Sequence, residues 1–246
     1  MKIKNYIRIF YLFIFFQKLI SAATSNPEYG QNGMVVSTSN QASEAGIEIL
    51  KKGGNAIDAA VAVGFALAVT SSSNGNIGGG GFLVASFANG RSITLDHREK
   101  APLNAHPNMF LNDSGSVIPG MSLYSRASSG VPGTVDGLIR ALEDHGSGKI
   151  SLREVLNPAI QLAERGFILS YFEANRLNVY KKFFERNKAA SKIFIRNDGK
   201  PWKKGQKFIQ KDLAKTLKKI ARYGRDGFYK GSVAQLIVQE MKRGNG

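Results

Sequence analysis

Arg98 is a side chain whose type and place could hold an anion at a defined point. It follows Leu95-Asp96-His97 at the end of a strand-like run and precedes Glu99. A guanidinium presents a planar fork that grips a carboxylate through two parallel hydrogen bonds. Asp96 and Glu99 also offer Arg98 a surface ion pair worth only about 0–1 kcal/mol, and the local sequence alone favours that simpler role. The second feature is the segment 71–81 (SSSNGNIGGGG), with five glycines, four of them consecutive. Bare backbone N–H groups in such a loop can cradle a phosphate or an oxyanion. No Lys-Ser/Thr follows the run, however, and it leads from a helical pattern into a strand, the reverse of a dinucleotide-binding turn. Close backbone packing beside an active site is the reading these glycines favour.

Other chemistries have little material. The chain has 246 residues and no cysteine, which excludes a disulfide scaffold, thiolate metal sites and a cysteine nucleophile. Its three histidines are His97, His106 and His145, and none lies at a helical i, i+4 spacing from another, so no metal site is expected. No motif asks for a cofactor. A hydrophobic fraction of 43% is enough for a packed core and excludes disorder of the chain as a whole.

The elements that position these residues follow from periodicity and caps. Residues 33–39 (GMVVSTS) read as a short buried strand. Residues 41–52 repeat apolar side chains at helical spacing behind Ser39 or Asn40, with Gly53-Gly54 as a stop. Residues 55–70 are small and apolar on every side, which describes a buried helix; Asn55 suits its N-cap and Asp58 its first turn. Residues 82–87 and 92–96 flank Asn89-Gly90, a hairpin signal. Helices are predicted over 134–142, over 152–164 behind a Ser151/Glu154 capping box, and over 212–223 and 232–242. The order of these elements is an α/β or α+β plan.

Charge divides the chain unevenly. Fifteen of the 34 Lys and Arg residues fall between 181 and 222, against three acids, giving that stretch +12 of the total +16. Phe183, Phe184, Phe194, Trp202 and Phe208 are interleaved with the lysines, as in a single-strand nucleic-acid track. Attraction to anionic lipid is an intermediate possibility. A solvated lysine face over core aromatics is the favoured reading, and no nucleic-acid partner is expected. At the N-terminus, Lys2, Lys4 and Arg8 precede the apolar run 9–16 (IFYLFIFF) and the small residues Ser21, Ala22 and Ala23. That is the pattern of a secretory signal peptide over residues 1–23, with the mature chain over 24–246 exported to a periplasm or secreted.

Several motifs, in order, resemble a known family. They are Gly33-Met34-Val35-Val36-Ser37, the run from Gly46 to Ala62 (GIEILKKGGNAIDAAVA), Gly75-Asn76-Ile77-Gly78-Gly79-Gly80-Gly81-Phe82 and Asp96-His97-Arg98-Glu99-Lys100-Ala101-Pro102. Gly130-Val131-Pro132-Gly133-Thr134-Val135 and Asp226-Gly227-Phe228-Tyr229-Lys230-Gly231 continue the series. Together they resemble the N-terminal part of the large subunit of gamma-glutamyltranspeptidases, over roughly residues 30–246. The resemblance implies an N-terminal nucleophile hydrolase fold, an αββα sandwich of which this chain supplies the N-terminal portion. It implies a self-cleaving precursor and a threonine nucleophile at the new N-terminus of a small subunit. It also implies gamma-glutamyl transfer from, or hydrolysis of, glutathione and related compounds, with an amino acid, a peptide or water as acceptor. Arg98 matches the family's arginine that holds the glutamyl α-carboxylate, which reverses the local reading of that residue.

The same resemblance marks what this sequence does not supply. Its threonines are 24, 38, 70, 94, 134 and 216; none is followed by His and no two are adjacent, so the family's Thr-Thr-His context is absent. No catalytic residue is therefore assigned here, and the chain alone is expected to be inactive without its small subunit. A decayed large-subunit remnant, or an exported basic binding protein, are the competing classes. His97 stands where an aromatic or another residue is usual in the family. The first expectation to test is export: N-terminal sequencing of protein from the native host should begin near residue 23 or 24. An intact Met1 on soluble cytoplasmic protein would contradict it.

Overall fold

The computed structural model describes residues 26–71, 73–244 and 246. The expected signal peptide over 1–23 lies outside the described residues. Two compact units divide the chain, Met1–Met34 and Val35–Gly246. Residues 26–34 of the first contain no helix or strand.

The second unit opens on helix α1, Asn40–Lys51, and helix α2, Ala56–Thr70. A hairpin follows, β1 Phe82–Ser86 and β2 Ser92–Asp96, antiparallel with Phe82 opposite Asp96. A long irregular segment contains the short helix α3 Met121–Tyr124 and a 3-10 turn, Arg126–Ser128, before α4, Thr134–His145, and α5, Leu152–Arg165. The remaining elements are β3 Phe167–Ile168, α6 Tyr171–Val179, α7 Lys181–Phe184, α8 Lys188–Phe194 and β4 Lys207–Phe208. Helices α9 Lys211–Tyr223, α10 Asp226–Tyr229 and α11 Gly231–Lys242 complete it. Strands β3 and β4 pair antiparallel as a two-residue ladder. The mixture of helix and strand agrees with the α/β plan.

The expected strand at 33–39 does not form. A strand needs a neighbour for its N–H and C=O groups, and among the described residues none pairs with this segment. Its serines turn the chain into α1 instead. The Ser37 hydroxyl donates to the Ser39 carbonyl at 2.8 Å and lies 2.8 Å from the Ser43 hydroxyl. Ser39 occupies the N-cap position as expected, but its hydroxyl donates to Gln41 Oε1 at 3.0 Å rather than accepting from the helix.

Helix α2 is the centre of the core because it has no polar face. Val61, Phe65, Ala66 and Val69 are fully buried, and α1, α4 and α5 pack around them. Helix α9 extends the core on the other side of α5 through Leu217 and Ile220. Burying such a Leu or Ile side chain contributes about 1.5–3 kcal/mol.

One polar knot registers these layers. Asn55 caps α2 through Ile57 N–H and Asp58 N–H, and Asp58 Oδ2 accepts the Asn55 N–H at 2.7 Å. Asp58 is wholly buried. Both its oxygens also accept the Ser147 N–H, at 3.1 and 3.2 Å, while Asn55 Nδ2 donates to the His145 carbonyl at 2.9 Å. The α1–α2 corner is thereby tied to the α4–α5 corner. Asp58→Ala strips two part-buried donors of their buried acceptor and is expected to cost about 3 kcal/mol, with Asp58→Asn recovering part. Urea denaturation of the full chain measures this; a change below about 0.5 kcal/mol for Asp58→Ala would contradict the role.

Candidate functional site around Arg98

Arg98 leaves β2 with its side chain 68% exposed. The Asp96 carboxylate does not pair with the guanidinium; its Oδ1 accepts the Arg98 backbone N–H at 2.9 Å. Glu99 Oε1 lies 3.7 Å from Arg98 Nε, a single long contact in solvent. Such a pair contributes little and yields readily to a better-placed carboxylate. The fork is therefore free to act on a ligand.

The backbone beneath it is held from three sides. His97 N–H donates to the Gly81 carbonyl at 3.0 Å, and Gly81 N–H returns to the His97 carbonyl at 3.3 Å. Lys100 and Val131 exchange hydrogen bonds at 3.1 and 2.7 Å. The Gly79 carbonyl accepts from Gly133 N–H at 2.7 Å and Thr134 N–H at 3.0 Å, so the glycine loop caps the N-terminus of α4. A Cβ on Gly80 would lie 2.6 Å from the Arg98 Cα, and one on Gly133 would lie 2.1 Å from the His97 carbonyl oxygen. No larger residue fits either place.

The glycine run thus serves close packing beside Arg98, the reading favoured from the sequence. Its first half lies elsewhere: Gly75, Asn76 and Gly78 border a groove with Lys192, Lys211 and Asp212. The histidines occupy different environments. His97 is beside Arg98, His106 lines an apolar cavity of about 600 Å³ behind Pro132, and His145 ends α4. Among the described residues no group of three His, Asp or Glu is placed to hold a metal ion.

Tyr229 is a supporting residue that the sequence reading quoted only within its motif. Its hydroxyl donates to the Pro132 carbonyl at 2.8 Å and accepts from Asp136 N–H at 3.2 Å, satisfying a first-turn donor of α4. Burial pushes the Tyr229 phenol up. Arg225, two residues before Gly227, bridges Asp136 and Glu143 on the same helix. The motif at 226–231 therefore steadies the helix that backs Arg98.

In the basic stretch, the rings turn mostly inward. Phe184 stacks on Phe194 at 4.8 Å, Trp202 meets Phe208 edge-on at 5.4 Å, and Trp202 Nε1 donates to the Phe194 carbonyl at 2.8 Å. Phe208 is buried, whereas Phe183 is exposed. This geometry matches a solvated lysine face over core aromatics rather than a row of outward stacking platforms.

The chain is similar to known proteins over most of its length. The gamma-glutamyltranspeptidase family model matches residues 42–246. A glutathione hydrolase proenzyme of Pseudomonas sp. (strain A14) is 48% identical over 227 residues, which cover 92% of this chain and 39% of that protein. The crystal structure of Helicobacter pylori gamma-glutamyltranspeptidase superposes with a TM-score of 0.85 at 44% identity, covering 89% of this chain and 62% of that one. That of Pseudomonas nitroreducens gamma-glutamyltranspeptidase complexed with L-DON gives 0.79 at 40% identity, covering 89% and 63%. The fold is thus part of an N-terminal nucleophile hydrolase sandwich. This chain belongs to the gamma-glutamyltranspeptidase family. It spans about two fifths of the length of the curated relatives it matches.

The glycine run offers an internal control on this packing. A Cβ on Gly78 would meet nothing nearer than Asn76 Oδ1 at 3.8 Å. Gly78→Ala is therefore expected to leave the melting temperature of the full chain unchanged, whereas Gly80→Ala costs about 1–3 kcal/mol. Equal melting temperatures for the two variants would contradict the clamp.

Proposed function

We propose that the protein containing this chain transfers gamma-glutamyl groups from glutathione and related donors to an amino acid, a peptide or water. The names of the relatives support this reaction class. The observation that carries it is the outward, weakly paired guanidinium of Arg98, set on a backbone that three segments hold fixed. Such a fork matches the free α-carboxylate that distinguishes a gamma-glutamyl donor from an ordinary peptide amide.

In this reading the chain contributes donor recognition, and the small subunit contributes the nucleophile. The small subunit's threonine hydroxyl attacks the gamma-carbonyl carbon, and its own amine takes the proton. The tetrahedral oxyanion collapses, the carbon–nitrogen bond breaks, and the departing amine leaves with that proton. Water or an acceptor amine then cleaves the ester. Arg98 does no bond chemistry; it fixes the donor so that the carbonyl meets the hydroxyl in line. The charged and apolar start of the sequence, residues 1–23, supports an exported location for this activity.

The test is made in the complete enzyme carrying this chain. Arg98→Ala removes a charge-assisted contact to a ligand carboxylate, so kcat/KM for a gamma-glutamyl anilide should fall by the equivalent of about 2–5 kcal/mol, mainly through donor KM. Arg98→Lys should recover only part of it, because one ammonium cannot reproduce the fork. Unchanged donor KM and kcat/KM in Arg98→Ala would reject the proposal.

A further inference from the structure

We propose that His97 is the positioning residue of Arg98: its imidazole is a wedge seated in a slot between two glycines, and this seat sets the direction in which the guanidinium points. The proposal rests on the reading of Arg98 as the donor-carboxylate residue.

Along an extended segment successive side chains face opposite sides. His97 turns inward and is half-buried, while Arg98 turns outward and is 68% exposed. The inward place exists only because two glycines vacate it. A Cβ on Gly137, at the end of the first turn of α4, would lie 2.1 Å from His97 Cβ and 2.2 Å from Cγ. On the other side, a Cβ on Gly81 would lie 2.8 Å from His97 Cε1 and 3.3 Å from Nε2. A glycine inside a helix is destabilising relative to alanine, and the packing of His97 is what Gly137 provides in return.

The ring acts through shape. His97 Nδ1 is buried and has no hydrogen-bond partner, so this nitrogen contributes no bond that an isosteric carbon would lose. With the wedge in place, residue 97 cannot rotate about its strand, and the Cα–Cβ bond of the neighbouring Arg98 keeps its outward direction. Without it, the backbone hydrogen bonds to Gly81 remain, but the slot is empty and the exit of β2 is free to twist. Donor binding should weaken while the chemical groups stay untouched.

The experiment compares steady-state hydrolysis of a gamma-glutamyl anilide by the complete enzyme carrying this chain, as wild type and as His97→Ala, His97→Phe and Arg98→Ala. His97→Ala is expected to raise donor KM about tenfold with kcat within about threefold, and His97→Phe to restore KM to near the wild-type value. If His97→Ala does not fold, Gly81→Ala, which drives a methyl group against the same ring, is expected to raise KM in its place. Two results would overturn the proposal while leaving Arg98 as the carboxylate residue: wild-type KM in both His97→Ala and Gly81→Ala beside a raised KM in Arg98→Ala, or a His97→Phe enzyme as impaired as His97→Ala. Wild-type KM in Arg98→Ala would overturn the role of Arg98 itself, and that of His97 with it.

Discussion

Backbone held against backbone without intervening side chains is the constraint from which this site follows. The segment at His97–Arg98–Glu99 runs so close to Gly80 and Gly133 that a methyl group at either would overlap its backbone. Proximity of that kind is rigid, because protein interiors have little compressibility and strain there is transmitted rather than absorbed. An arginine is a flexible side chain and loses much rotamer freedom when it binds. Fixing its Cα and its direction is the part of that cost the fold can meet in advance.

The core supplies the rigidity in turn. Helix α4 presents Gly133 and Gly137 to the segment, and α4 is held at both ends. Its N-terminus is satisfied by Gly79 and Tyr229, and its C-terminal corner is joined to α2 through Asn55 and Asp58. Helix α2, buried except along the face of Ala56, Ala60, Val63 and Leu67, fixes the other elements relative to one another. The outer face of the hairpin is a contrast, with Phe82 and Val84 67% and 75% exposed. The side of β1 and β2 that faces the core is ordered by packing, and Arg98 stands at the end of the strand where those two environments meet.

How much of this was legible in the sequence depended on the range of the signal. Helices α1, α2, α4, α5, α9 and α11 follow from local periodicity, and the capping boxes at Asn55/Asp58 and Ser151/Glu154 set their starts. Helix α6 carried the same signal in Ser170 and Glu173, but the mixed aromatic and basic residues after it obscure any apolar stripe. Val35 and Val36 suggested a strand because β-branched residues favour extended backbone; pairing is a property of a second segment, which the local sequence cannot report. The glycines of the loop announced close approach without saying to what. That Gly137 and His97 share one slot is a fact of tertiary structure, hinted at only by a glycine inside a helical pattern. The functional reading of Arg98 came from the family motif, since its local chemistry favoured a surface pair.

The central claim is that the Arg98 fork recognises the donor's α-carboxylate. The most direct measurement changes both partners at once. In the complete enzyme carrying this chain, wild type and Arg98→Ala are each assayed with a gamma-glutamyl anilide and with the same compound bearing an α-carboxamide. Wild type is expected to favour the carboxylate donor by a hundredfold or more in kcat/KM, the equivalent of about 3 kcal/mol, and Arg98→Ala to lose most of this preference. An undiminished preference for the carboxylate in Arg98→Ala would contradict it.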